Sequence, residues 1–171
     1  MKKKRVLYMA VPLGAAALVI LVNLLTLEMP VSGALGEDSR NEVVEVDVHY
    51  GYYVHPGILI IDLEDVEGAS RADVFRVLLQ TADALQTRSF SQVELHRNGE
   101  HRFTVPGSYF KEVGEEYSFQ NPVYTMRTFT EQVKDPDGTR AFYSFGGGGL
   151  LGGLASEMET FNEFISEWAA D

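Results

Sequence analysis

The run Ile58-Leu59-Ile60-Ile61-Asp62-Leu63, followed after a short acidic loop by Ser70-Arg71-Ala72-Asp73, decides the fold class. A short continuous apolar stretch, bounded by Pro56-Gly57 before it and Glu64 to Gly68 after it, reads as a strand covered on both faces in the middle of a sheet. Ser70 then has the chemistry of a helix N-cap, with Asp73 three residues on as a variant of the capping box. Beyond it Phe75, Leu78, Leu79, Ala82 and Leu85 fall at spacings of three and four. That is one apolar stripe facing the sheet, on a helix ending near Thr87.

Upstream, Val44, Val46, Val48, Tyr50, Tyr52 and Val54 alternate with Glu45, Asp47, His49, Tyr53 and His55. Period two over a dozen residues predicts a long half-buried strand, with Gly51 marking a bulge and Pro56-Gly57 turning the chain into the central strand. Downstream, Val93 to Val105 predicts a hairpin around Asn98-Gly99. A two-residue loop there sets Val93 opposite Thr104 and Leu95 opposite Arg102, which mixes the faces. A three-residue loop with Gly99 left-handed pairs Val93 with Phe103 and Glu94 with Arg102, and is the register expected. It sends His96 and His101 to opposite faces.

Pro106-Gly107 ends the hairpin, and Ser108 opens a helical turn through Val113 that Gly114 closes. Residues 117–128 read as further strand broken at Asn121-Pro122, 130–134 as a short helical turn, and Asp135-Pro136-Asp137-Gly138 as a tight turn. Residues 140–145 read as the last strand. The chain closes on a helix whose Leu151, Leu154, Met158, Phe161, Ile165 and Trp168 form one apolar seam, read as a core face because so short a seam does not establish a coiled coil. The sum is an α+β domain: an antiparallel or mixed sheet of five to six strands with two main helices packed on one face.

One N-terminal transmembrane helix is expected to precede this domain. Val6 to Leu27 is 22 residues without a charge, preceded by Lys2, Lys3, Lys4 and Arg5. A helix of that length covers roughly 33 Å, enough for a hydrocarbon core of about 30 Å. Positive charge stays cytoplasmic, so residue 28 onward is expected on the far side. The organisation is then a basic tip and signal-anchor over 1–27, a flexible tether over 28–41 and an extracytoplasmic domain over 42–171. The alternative is a secretory signal cleaved near residues 33–34, after which the domain is secreted; its apolar core is longer than the roughly 7–15 residues such signals carry.

Without its four N-terminal basic residues the chain has ten Lys and Arg against 25 Asp and Glu, a net charge of −15. Nucleic acid and anionic lipid headgroups, both held mainly by Lys and Arg, are unsuited to such a surface. The chain has no cysteine, which removes disulfides, thiol chemistry and zinc ribbons. It also has no Asn-x-Ser/Thr acceptor, and both features suit a bacterial envelope protein.

Motifs for catalysis are sparse. Gly147-Gly148-Gly149-Leu150-Leu151-Gly152 matches Gly-x-Gly-x-x-Gly, but no following strand offers the acidic residue a dinucleotide site needs. Ser108-Tyr109-Phe110-Lys111 matches Ser-x-x-Lys without its companion elements, and helix capping explains it. Asp62, Glu64 and Asp65, with Glu67, cluster where the central strand ends and are the carboxylates best placed to hold a hard cation. No cofactor is expected. The reading is a membrane-tethered, non-catalytic binding or assembly module of the bacterial cell envelope. It would contact a protein partner through a sheet edge or the glycine loop Gly146, Gly147, Gly148, Gly149, Gly152 and Gly153. Its rival is a small divalent-metal-assisted hydrolase using Asp62, Glu64 and Asp65.

Overall fold

The computed structural model describes residues 14–143 and 149–171. Its apolar N-terminal helix, α1 (Gly14–Gly36), is long and apolar enough to cross a membrane. The sheet comprises β1 (Glu45–Gly51), β2 (His55–Asp65), β3 (Gln92–Arg97) and β4 (Glu100–Pro106), in that spatial order. β1 and β2 are antiparallel, β2 and β3 parallel, and β3 and β4 antiparallel. The parallel pair is joined by α2 (Arg71–Ala84); α3 (Gly107–Glu116), α4 (Pro122–Gln132) and α5 (Gly149–Ala169) follow β4. Among the described residues the sheet therefore has four strands rather than five to six.

The central motif forms as its sequence dictates. The Ser70 hydroxyl accepts from Asp73 N, and the Asp73 carboxylate accepts in return from Ser70 N at 2.8 Å and from the Ser70 hydroxyl at 2.7 Å. Both halves of the capping box are thus present. The stripe behind it, Phe75, Leu78, Ala82 and Leu85, is buried together with Leu59, Ile61 and Leu63 of β2. Val48, Tyr50, Val93, Leu95, Phe103 and Val105 complete the same face of the sheet. Phe161, Phe164, Ile165 and Trp168 of α5 close the core, and the Trp168 indole N–H donates to His96 O at 2.9 Å. Two glycines let the layers approach: a Cβ on Gly107 would overlap the Phe90 carbonyl, and one on Gly114 the Ala82 carbonyl.

Two segments read as strand are built otherwise. Residues 117–128 give way to α4, whose start is capped by Asn121 accepting from Val123 N, with Pro122 in the first turn. Its β-branched residues suggested strand, yet Thr125, Phe129 and Thr130 share a buried helical face and Phe129 meets Phe75 edge-on. The stretch 140–145 supplies only an isolated bridge, Lys134 to Arg140, beside a bridge from Lys134 to Thr104; residues 144 and 145 lie outside the described residues.

The first hairpin also turns elsewhere than at Pro56-Gly57. β1 stops at Gly51, the chain reverses through Tyr52, Tyr53 and Val54, and Pro56 and Gly57 belong to β2 in an irregularity of the ladder. Residues 28–41 form a docked connection: α1 continues to Gly36, a 3-10 turn spans Ser39–Val43, and buried Asn41 bonds Leu35 O, the Gln80 side chain and Arg76.

The Ser70 hydroxyl and amide, followed by the Arg76 guanidinium, hold the Asp73 carboxyl down at about 2. A depressed carboxylate stabilises the fold above its unfolded value, and that contribution disappears as pH falls through the folded value. Asp73→Asn should therefore unfold at lower denaturant than wild type at pH 7, with the gap closing between about pH 4 and pH 2. Chemical denaturation across that range checks it; a gap that persists unchanged at pH 2 would refute the linkage.

Candidate functional site

Since the helices and the apolar cluster occupy one face of the sheet, the alternate positions of each strand emerge on the other. Asp47 and His49 of β1, Ile58, Ile60 and Asp62 of β2, and Gln92, Glu94 and His96 of β3 share that face through the ladder pairs Asp47 with Asp62, His49 with Ile60, Ile60 with Glu94, and Asp62 with His96. None of these residues belongs to the apolar core cluster. The central strand is thus covered by helices on one face, while its other face carries half-buried polar side chains with Ile60 buried among them.

Two of these polar groups, Glu94 and His96, are joined by His101 because of the tight turn of the second hairpin. The Asn98-Gly99 turn is the two-residue kind, with φ values of 51° and 79°, and Arg97 pairs with Glu100. Left regular, that turn would mix the faces. The ladder instead slips between Leu95 and His96, so that His96 faces His101 while Leu95 faces Phe103 and Val93 faces Val105. Arg102 is the extra residue on β4. This corrects the three-residue loop and the pairing of Glu94 with Arg102: Glu94 lies opposite Thr104. The two-residue turn also brings His96 and His101 to one face, where their rings stack at 5.0 Å between centroids, 16° from parallel.

Glu94 lies beside both rings. One of its oxygens, Oε2, is 3.1 Å from His96 Nε2 and 4.0 Å from His101 Nδ1, while Oε1 accepts from the Gln92 amide at 2.8 Å. His101 Nε2 lies 3.0 Å from Phe103 O and 2.9 Å from Thr104 Oγ1. A carbonyl can only accept, so Nε2 carries the proton of the neutral ring and Nδ1 turns a lone pair toward Glu94. Signals for this cluster exist in the sequence: Glu94 and His96 at i and i+2 on one strand, and an Asn-Gly turn bringing His101 back. What sequence reasoning missed was the bulge at Arg102, which lets the two-residue turn coexist with the apolar register.

The carboxylates expected to hold a cation are arranged differently. Asp62 Oδ2 accepts from Gly99 N at 2.7 Å and Asp65 Oδ1 from Glu67 N at 2.9 Å. Burial, then the neighbouring Asp47, Glu45 and Asp62, raises the Glu64 carboxyl. Among the described residues, the side chains whose ligand atoms lie within 4.8 Å of one another are Glu94, His96 and His101, not Asp62, Glu64 and Asp65. Of the glycine loop, Gly146, Gly147 and Gly148 lie outside the described residues, and Gly149, Gly152 and Gly153 are in the opening turns of α5.

The other end of the open face meets α1. Tyr53 stacks on His49 at 4.1 Å, and both Tyr52 and Tyr53 adopt left-handed backbone, φ 49° and 62°. Buried Asn23 clasps this hairpin: its amide donates to Tyr53 O at 2.8 Å and its carbonyl accepts from Tyr50 N at 2.8 Å. Thr26 adds a bond to the Tyr50 hydroxyl at 3.1 Å. Asn23 and Thr26 therefore join helix to domain.

No protein-family model, curated protein or solved structure matches this chain.

Asn23→Leu leaves the Tyr50 amide and Tyr53 carbonyl without their partner, at a cost of about 1–3 kcal/mol. Hydrogen exchange at Tyr50, and chymotryptic cleavage after Tyr52 or Tyr53 in the detergent-solubilised full chain, should both accelerate. Unchanged rates would show that the clasp does not order the hairpin.

Proposed function

We propose that the protein is a membrane-tethered, extracytoplasmic binding or assembly module of the bacterial cell envelope, and that it contacts its protein partner through the open face of the sheet. The observation that carries this reading is the division of the sheet, with every described helix contributing to one apolar core and a half-buried field of Asp, Glu, His and Tyr left on the other side. The edges are less available. β1 meets α1 at the Asn23 carbonyl, and β4 exchanges hydrogen bonds with Lys134 at Thr104.

The anchor gives the module its place. Leu18, Ile20, Leu21, Val22 and Leu25 leave an exposed apolar flank on α1, suited to lipid. Tyr52, 86% exposed, lies at the hairpin tip, and its neighbours Tyr53 and Val54 line a shallow cavity with Leu18, Val19 and Val22. The clasp at Asn23 holds the domain against this helix in a fixed attitude. The basic tip favours export of everything beyond the helix.

Because the chain has no native cysteine, a single Asp137→Cys substitution reads topology directly. An impermeant maleimide should label it in intact cells; labelling only after lysis would place the domain inside and end the extracytoplasmic reading. The contact face is read by a photo-crosslinking residue at Asp47, on the open face, compared with one at Glu131 on α4. A discrete adduct is expected from position 47 and not from 131, and the reverse would reassign the surface.

A further inference from the structure

We infer that Glu94, His96 and His101 form a binding site for one borderline transition-metal ion, Zn2+ or its close analogues, on the open face of the sheet. The inference is independent of the partner-binding role. Its first support is the donor set. Two imidazoles and a carboxylate, with ligand atoms within 4.8 Å of one another, are the nitrogen-and-oxygen combination that suits Zn2+ and its neighbours, whereas Ca2+ and Mg2+ favour oxygen alone.

The second support is the way the ligands are held. Metal-bound histidines characteristically donate their remote N–H to a backbone carbonyl or carboxylate, which fixes the tautomer and aims the free nitrogen. His101 does this, with Nε2 directed at Phe103 O and Nδ1 facing Glu94. Glu94 is oriented in the same manner, one oxygen bound by Gln92 and the other directed between the rings. On β3, the Trp168 indole binds the His96 carbonyl, fixing the backbone that carries the ring. These contacts position the three side chains without an ion.

The third support is an electrostatic vacancy. In the neutral His101 tautomer a lone pair and a carboxylate oxygen face each other at 4.0 Å, an arrangement a cation between them would favour. At His96, Nε2 shares a proton with the same oxygen, and an arriving metal ion takes that proton's place. Side-chain exposures of 12% to 27% leave the group reachable from solvent, so three protein ligands and an open fourth position describe the site. Its lodging on a β-hairpin rather than a loop keeps the ligands on a rigid support.

The test is titration of the full-length chain, purified through a tag without histidine and kept in mild detergent, with zinc sulfate, read by calorimetry and native mass spectrometry. One Zn2+ per chain is expected. His96→Ala and His101→Ala should each weaken binding at least about tenfold, while His49→Ala and His55→Ala should not. Glu94→Gln keeps the shape of the side chain and an acceptor for His96, and should also weaken Zn2+ binding should an alanine variant fail to fold. Co2+ should give visible d–d absorption in the wild type that His101→Ala abolishes. The proposal is overturned by a wild-type chain that takes up no stoichiometric Zn2+, by a His96→Ala/His101→Ala chain that folds and binds as wild type does, or by Ca2+ binding equal to Zn2+.

Discussion

A parallel pair of strands cannot be closed by a tight turn, and that constraint organises this molecule. The chain leaving β2 must cross over to begin β3 alongside it, and the crossover is α2. With α2 on one side, α4, α5 and the end of α1 join the same apolar layer, through Phe129, the aromatic residues of α5, Leu27 and Val31. Trp168 pins the last helix to β3 through a backbone carbonyl. The opposite face receives no such layer among the described residues. Its side chains must satisfy themselves against one another and water, which explains why nearly all of them are polar.

The same economy governs the junction with the N-terminal helix. Two consecutive tyrosines in left-handed backbone cost on the order of 1–3 kcal/mol each, and such geometry persists only where surrounding contacts over-determine it. Asn23 supplies those contacts by meeting one amide and one carbonyl of the hairpin with a single side chain. A polar residue within an apolar helix is thereby accounted for by its bonds to the domain. The helix and the domain share a junction of directional bonds, reinforced by Leu27 and Val31 in the apolar core, so the domain's tilt follows that of the helix.

Legibility in the sequence tracked how local each signal was. The capping box at Ser70, the stripe from Phe75 to Leu85 and the apolar central strand depend on neighbours a few residues apart, and all three stand in the structure. The helix from Pro122 was obscured because Val123, Thr125, Thr128 and Thr130 favour strands, whereas packing of Phe129 against Phe75 and Phe164 favours the helix. The turn at Tyr52 interrupts the alternation where a bulge at Gly51 was expected; hydrogen bonds from Tyr53 N to Tyr50 O and from Val54 N to Gly51 O close it, and Asn23, thirty positions before Tyr53, clasps it. Half of the coverage of β2 was legible as well: an apolar run tells that a strand is central but not that a helix lies on each side, and polar neighbours can bury Ile60 as effectively.

The candidate metal cluster shows why a site can be invisible while its residues are in plain view. A hairpin has two demands here, apolar residues toward α5 and a tight turn at Asn98-Gly99, and regular pairing cannot meet both. One extra residue, Arg102, reconciles them by shifting the ladder between the turn and the core. The tight turn by itself sets His101 opposite His96, and the one-residue slip beyond that pair restores Leu95 to Phe103, because side chains alternate with a period of two and a slip exchanges faces. The convergence of the two histidines therefore belongs to the turn and the apolar register to the bulge, and the hairpin holds both only because the bulge sits between them. Any change that removes the bulge, such as lengthening the turn by a residue, would keep one at the expense of the other or lose both.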